Sequence, residues 1–165
     1  MKRRSIFQLI AWSSVAAWGG PWAATPASPK AGAFERLTLS DEQWKQRLTE
    51  AQYQILRQEG TERPFSSPLN DEKRKGRYLC AGCQSPLFLS GMKYDSGTGW
   101  PSFYMTLPEV IGTKTDFKMV YPRTEYHCIR CGGHQGHVFN DGPKPSGKRY
   151  CNNGVALNFV PDAQA

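Results

Sequence analysis

The sequence predicts a mainly β domain built from antiparallel sheets packed face to face. From Arg77 onward no stretch keeps a helical period, and short apolar runs alternate with Gly, Pro, Asp and Asn. No crossover helices separate those runs, so parallel pairing has no connections to use. A third observation is the pattern Cys80-Ala-Gly-Cys83 and Cys128-Ile-Arg-Cys131, two turns of a kind that clamp a metal and staple a small β framework.

The first element is the exception. Ser40-Asp-Glu-Gln43 has capping-box form, and Trp44, Leu48, Ala51 and Ile55 then fall on one face at helical spacing until Gly60. The spacing predicts one helix over residues 41–58, its apolar stripe packed on the core. Strands are predicted at Tyr78-Leu79, Pro86-Leu-Phe88, Phe103-Tyr-Met105, Phe117-Lys-Met-Val-Tyr121, Val138-Phe139 and residues 155–160, each a short β-prone run between breakers. There is no internal repeat beyond the two Cys-x-x-Cys pairs.

The chain has 165 residues, of which 39% are apolar, enough for one compact domain with its own core. Its formal charge is +7, from 21 basic and 14 acidic residues. Lys2, Arg3, Arg4 and Lys30 lie in the N-terminal segment; without them 17 basic residues face 14 acidic ones, a net +3. The body is therefore only mildly basic, and Lys73-Arg-Lys75 is its longest basic run, which excludes a nucleic-acid surface.

Lys2-Arg3-Arg4 is followed by an uncharged stretch from Ser5 to Pro29, apolar over residues 6–18 and then rich in Pro and Ala. A basic start, a short apolar middle and small residues have the layout of an export signal rather than a membrane span. Arg3-Arg4-Ser-Ile-Phe7 also resembles a twin-arginine motif, with Lys2 at the position usually held by Ser or Thr. The expectation is an export signal and linker over residues 1–33, a domain over 34–165, and a periplasmic location reached by the twin-arginine route. That route carries folded proteins, so thiolates would meet their metal before an oxidising compartment pairs them.

Four thiolates from two Cys-x-x-Cys turns suit one structural zinc ion at tetrahedral geometry. Gly82 inside the first turn, and Gly132-Gly133 after the second, let the backbone bend toward the sulfurs. Two vicinal disulfides or a thioredoxin-like redox pair are the competing readings. Either way Cys151 is left over. It is the sole candidate nucleophile, with Arg149 two residues away to favour its thiolate. His134 and His137 are suited to donating and recovering a proton. His127 adjoins Cys128 and is read as structural.

Several ordered motifs carry a family resemblance: Cys80-Ala-Gly-Cys83, Gly97-Thr-Gly-Trp100-Pro-Ser-Phe103, Arg123-Thr-Glu125, Cys131-Gly-Gly-His134-Gln-Gly-His137-Val-Phe139 and Arg149-Tyr-Cys151-Asn-Asn153. The chain from about residue 35 to 160 resembles the B-type methionine sulfoxide reductases, and Gly60-Thr-Glu-Arg-Pro-Phe65 fits as well. The resemblance implies two antiparallel sheets with a few short helices, one structural zinc per chain on Cys80, Cys83, Cys128 and Cys131, and reduction of methionine-R-sulfoxide in oxidised proteins, a repair function under oxidative stress. It places Cys151, His134, His137, Asn153 and Arg149 in the catalytic site. Asn153 would fix a histidine or a water, Asp141 would orient Arg149, and Trp100 with Phe139 would wall the substrate pocket. A monomer is expected.

Many members of that family carry a second cysteine where this chain has Thr98. Threonine cannot close a disulfide, so the resemblance implies a Cys151 sulfenic acid that waits for an external thioredoxin-type or small-thiol reductant. The alternative is a noncatalytic, zinc-supported small-ligand binding module on the same framework, in which Cys151 would be an ordinary buried thiol.

Overall fold

A computed structural model describes residues 35–163; the expected export signal and linker, residues 1–33, lie outside the described residues. The chain begins with two short helices, α1 (Asp41–Arg47) and α2 (Glu50–Leu56). The sequence pattern predicted one helix, and the break has a local cause. Thr49 forms a second capping box with Gln52, like that of Ser40 with Gln43, while Leu48 turns extended at φ −106°, ψ 149°. The Thr49 hydroxyl accepts from the Gln52 amide at 3.2 Å and the Gln52 side chain accepts from the Thr49 amide at 3.1 Å. A helix running through Thr49 would forfeit this pair. The apolar stripe survives the break: Trp44, Leu48, Tyr53, Ile55 and Leu56 are buried, Tyr53 among them in place of the expected Ala51.

Nine strands follow: β1 (Gly76–Cys80), β2 (Pro86–Leu89), β3 (Lys93–Tyr94), β4 (Ser102–Phe103), β5 (Ile111–Asp116), β6 (Arg123–Cys128), β7 (His134–Phe139), β8 (Arg149–Asn152) and β9 (Leu157–Pro161). They make two sheets, one in the order β2-β1-β9 and one in the order β3-β4-β8-β7-β6-β5, and every pairing is antiparallel. This is the mainly β, two-sheet architecture that the strand pattern and the resemblance predicted.

One strand assignment is corrected. Phe117–Tyr121 is not a strand: β5 ends at Asp116, whose carboxylate accepts from the Lys118 amide at 2.8 Å and closes a turn. Phe117, Met119, Val120 and Tyr121 are consequently exposed at the tip of the β5–β6 hairpin, and Pro122 returns the chain to β6. Strands β3, β5, β6 and β8 escaped the sequence pattern because Thr, Lys, Arg, Glu, His and Asn largely fill them, residues that carry no apolar alternation.

The centre of the core, where the two sheets meet, is an aromatic cluster. Tyr78 and Phe88 come from the small sheet, Phe103 and Tyr126 from the large one, and all four are fully buried. Phe88 stacks on Phe103 with centroids 4.0 Å apart, and Tyr78 meets Phe103 edge-on at 5.0 Å. Phe103 touches both neighbours at the centre, so Phe103→Ala removes packing that nothing nearby can refill. We expect a loss of about 3–5 kcal/mol in urea unfolding; a loss below about 1 kcal/mol would show that the sheets are held elsewhere.

Candidate active site and metal centre

The metal centre forms where two strands end. Cys80 closes β1 and Cys83 follows it, while Cys128 closes β6 and Cys131 precedes β7. The four sulfurs lie within 4.8 Å of one another, with Cys80 to Cys131 at 3.6 Å and Cys83 to Cys128 at 3.5 Å. A zinc ion with bonds of ~2.3 Å needs sulfur separations of about 3.8 Å, and a disulfide about 2.05 Å. The spacing fits a metal and no disulfide; all five cysteines are free.

Mutual hydrogen bonding between these sulfurs pushes the Cys83 and Cys128 thiols down and the Cys80 and Cys131 thiols up, so protons are shared unevenly among the four and a metal would have to displace those that remain. The turns are braced from outside by three guanidinium groups, Arg47 on the Gly82 carbonyl at 2.8 Å, Arg57 on Cys131 at 3.0 Å and Arg130 on Cys83 at 3.1 Å. The side-chain amide of Gln135 donates to the Cys80 sulfur at 3.4 Å. Helices α1 and α2 therefore act as a buttress for the metal loops.

The other site is set by strand register. Cys151 on β8 pairs with His137 on β7, and His137 pairs on its other side with Glu125 on β6. Directly paired residues share a face of the sheet, so the thiol, the imidazole and the carboxylate stand in one transverse row. Strands β7 and β8 come unusually close beside it: a Cβ added at Gly136 would lie 1.9 Å from the Cys151 carbonyl oxygen. A shallow cavity of about 110 Å³ opens on this row, lined by Cys151, His137, Trp100, Phe139, Arg123, Asn153 and their neighbours Thr61, Gly136 and Asn152. The Trp100 indole is fixed by its N–H, which donates to the Glu62 carbonyl at 3.1 Å.

Arg149 is one step back from the cavity. Its guanidinium makes a two-pronged bond to Asp141, at 2.9 and 2.8 Å, and lies 4.4 Å over the Phe139 ring. Asp141 thus holds the arginine as the resemblance implied. Burial pushes the Cys151 thiol above its ordinary range; the Arg149 cation and the Thr98 hydroxyl pull it back without reversing the shift. The expectation that Arg149 brings the thiol toward neutrality is therefore corrected: the cation does favour the thiolate, but burial is the largest influence and outweighs it.

His134 is brought near the row but not into the cavity. It is 2% exposed, its Nδ1 lies 2.7 Å from Glu125, and its ring sits 5.5 Å from that of His137. A register shift between Tyr126 and His127 lets these two histidines, three residues apart, turn to the same side. Glu125 also meets His127 at 3.0 Å. Burial pushes the Glu125 carboxyl up, yet the hydrogen bonds from His127 and His134 bring it down to about 2.

Asn153 bonds no histidine: its side-chain oxygen accepts from the Glu62 amide at 3.0 Å and its NH₂ donates to the Gln135 carbonyl at 3.0 Å, so it ties the backbone of the cavity wall. One donor and one acceptor site of the amide are left over. Residues that sequence reasoning passed over are Asp116, whose carboxylate lies 2.7 Å from His137 Nε2, and Glu62, which accepts from the amides of Gly154 and Val155 at 2.6 and 3.0 Å. Glu62 and Glu125 lie inside quoted motifs, which was the available signal. Asp116 had none.

Two outcomes follow from these sites. Cys128→Ser should abolish stoichiometric zinc by elemental analysis and lower stability by several kcal/mol; an unchanged unfolding curve would remove the metal from the fold's support. Because burial raises the Cys151 thiol, its iodoacetamide alkylation rate should rise with pH on the alkaline side of the curve for a free cysteine, and Arg149→Met should displace it further alkaline. A midpoint on the acid side would contradict this.

A SelR domain model matches residues 48–161, most of the chain. The chain is 54% identical over 128 residues to the peptide methionine sulfoxide reductase MsrB of Methanosarcina barkeri (strain Fusaro / DSM 804), covering 77% of this chain and 90% of that protein. It is 52% identical over 124 residues to the protein of the same name from Leptospira interrogans, covering 74% and 95%. The chloroplastic peptide methionine sulfoxide reductase B1 of Arabidopsis thaliana is 50% identical over 126 residues, covering 76% of this chain and 62% of that one. With the two sheets, the four-cysteine cluster and the free thiol beside an indole, these matches place the chain in the MsrB family of methionine sulfoxide reductases.

Proposed function

We propose that this enzyme reduces methionine-R-sulfoxide, carried on oxidised proteins, to methionine. The observation that carries the reading is one unligated thiol, Cys151, sharing a small cavity with His137 and the Trp100 ring. A methyl sulfoxide at the end of a flexible side chain fits such a cavity: the indole gives the methyl group an apolar wall, and His137 serves the oxygen. The cavity admits little more than that side-chain end, which leaves a protein main chain free to lie outside it.

Cys151 starts as a thiol. Its sulfur attacks the sulfoxide sulfur and forms an S–S bond while the oxygen is protonated and the S–O bond breaks; return of that oxygen to the Cys151 sulfur then breaks the S–S bond, releasing methionine and leaving a sulfenic acid on Cys151. Two electrons pass from the cysteine sulfur to the methionine sulfur, and the thiol proton reaches the departing oxygen by way of His137. Burial, with Arg123 and His134 nearby, lowers the His137 pKa, while Asp116 opposes that; a neutral imidazole is able to take the proton first and give it up second.

The cycle uses one cysteine. The Thr98 hydroxyl, which favours the Cys151 thiolate, is linked to Ser96 at 2.8 Å and through it to Ser102 at 2.7 Å, so hydroxyls occupy the ground a resolving thiol would need. The remaining thiols are gathered at the metal centre, where Cys80, Cys83, Cys128 and Cys131 would hold one structural zinc. An external thiol therefore attacks the sulfenic acid, releasing water and forming a mixed disulfide, and a second thiol frees Cys151. Export to the periplasm by the twin-arginine route, with zinc loaded beforehand, accords with Arg3-Arg4 and the uncharged stretch after it.

With one equivalent of the R epimer and no reductant, mass spectrometry should find one added oxygen, on Cys151. Thr98→Cys should convert that product to a disulfide, and Cys151→Ser should abolish turnover. A native intramolecular disulfide, or turnover of the S epimer alone, would overturn the reading.

A further inference from the structure

The carboxylate of Asp116 is buried, 8% exposed, at the last position of β5, and it belongs to no part of the site that the sequence motifs mark. Its Oδ2 lies 2.7 Å from His137 Nε2 and 2.7 Å from the Arg123 guanidinium, and its Oδ1 accepts from the Lys118 amide. Asp116 and Arg123 are also the closing pair of the β5–β6 hairpin. The aspartate is thus held from three sides, by its own turn, by β6 and by β7. A group so anchored cannot follow the imidazole; the imidazole must conform to it.

An ionised carboxylate only accepts, so the shared hydrogen is on Nε2. That settles which nitrogen is left for chemistry. In a neutral ring with hydrogen on Nε2, Nδ1 carries a lone pair and takes a proton rather than giving one. His137 stands opposite Cys151 in the pairing of β7 with β8, and both line the same cavity.

We propose that Asp116 is a positioning residue of the reductase: it pins the His137 ring through Nε2–H, so that Nδ1 receives the Cys151 proton and returns it to the sulfoxide oxygen. When Nδ1 is protonated the ring carries a positive charge, and the Asp116 carboxylate, 2.7 Å away, stabilises that state just as the sulfur attacks. The ionisable groups facing the ring are Asp116 from β5, Arg123 from β6, His134 from β7 itself and the Cys151 thiol from β8. Asp116 is the one acid among them in contact with the ring. The arrangement has the order thiol, imidazole, carboxylate, each member on a different strand. This inference rests on the thiol-reductase reading and adds a residue to it.

The test has two arms on the zinc-loaded full chain. In the first, long-range nitrogen–proton NMR of ¹⁵N-histidine protein near neutral pH reads the His137 tautomer, the signals being assigned by comparison with His137→Gln. Hydrogen on Nε2 and a bare Nδ1 support the proposal; hydrogen on Nδ1 overturns it. In the second, Asp116→Asn is compared with wild type in single turnover with the R sulfoxide. The rate of sulfenic acid formation should fall about ten- to hundredfold while KM stays within about twofold. A rate within about twofold of wild type overturns the proposal, including where Asp116→Asn only lowers thermal stability. If the variant fails to fold, as judged by zinc content and circular dichroism, the wild-type tautomer decides alone. Absence of Cys151 oxidation in the wild type would instead sink the thiol-reductase reading, with the tautomer still measuring whether Asp116 pins the ring.

Discussion

The register of β7 between β6 and β8 is the constraint on which the site depends. It puts His137 between Cys151 and Glu125, and a slip of β7 by one residue would send His137 to the face away from the other two. Two local features hold that register. Gly136 permits a backbone approach that any Cβ would block, and the second metal turn ends at Cys131, three residues before β7 begins. A zinc ion on Cys80, Cys83, Cys128 and Cys131 would join the end of β1 in the small sheet to the end of β6 in the large one. The ion would stand away from the chemistry and still govern it, by fixing where β7 starts.

The electrostatics of the row follow from burial. Taking a thiol, an imidazole and two carboxylates out of water disfavours every charged form, unless a partner is built in. Asp116 and Glu125 have such partners in Arg123, Lys118 and the histidines, and their carboxyls stay ionised. Cys151 has Arg149, but that cation is already engaged in a two-pronged bond to Asp141. Burial consequently favours the protonated sulfur, and on the proposed mechanism activation would come with the substrate, through proton transfer to His137. A resting thiol is also the less reactive form toward adventitious oxidants and alkylating agents.

The legible parts of this chain were those in which chemistry and spacing coincide. The cysteine pairs, the Cys151 neighbourhood and Trp100 could be read because few other residue types do their work. The two-sheet architecture could be read from short runs and breakers, although β3, β5, β6 and β8 could not, since a strand rich in polar and charged residues has no apolar alternation to show. The single helix failed at Thr49, where a capping box lay in the middle of an unbroken apolar stripe; the stripe reports which face is buried and is blind to a cap. Asp116 was invisible for a different reason. It is 21 residues from His137, and only the folding back of β5 on β6, and β6 on β7, brings the two within a hydrogen bond.

A one-cysteine cycle imposes a condition that the rest of the molecule meets. A sulfenic acid that must wait for an external thiol should have no internal thiol within reach, or it would be captured as a disulfide. The cavity around Cys151 contains no other cysteine, and Thr98, Ser96 and Ser102 set a run of hydroxyls beside it. The other four thiols are buried and committed to one another at the metal centre. Zinc would keep them there: a coordinated thiolate is a poorer partner for a stray sulfenic acid than a free one, and leaving the cluster would cost the fold its staple. With zinc bound, the same four cysteines would staple the domain and, by being unavailable, protect the proposed intermediate on the fifth.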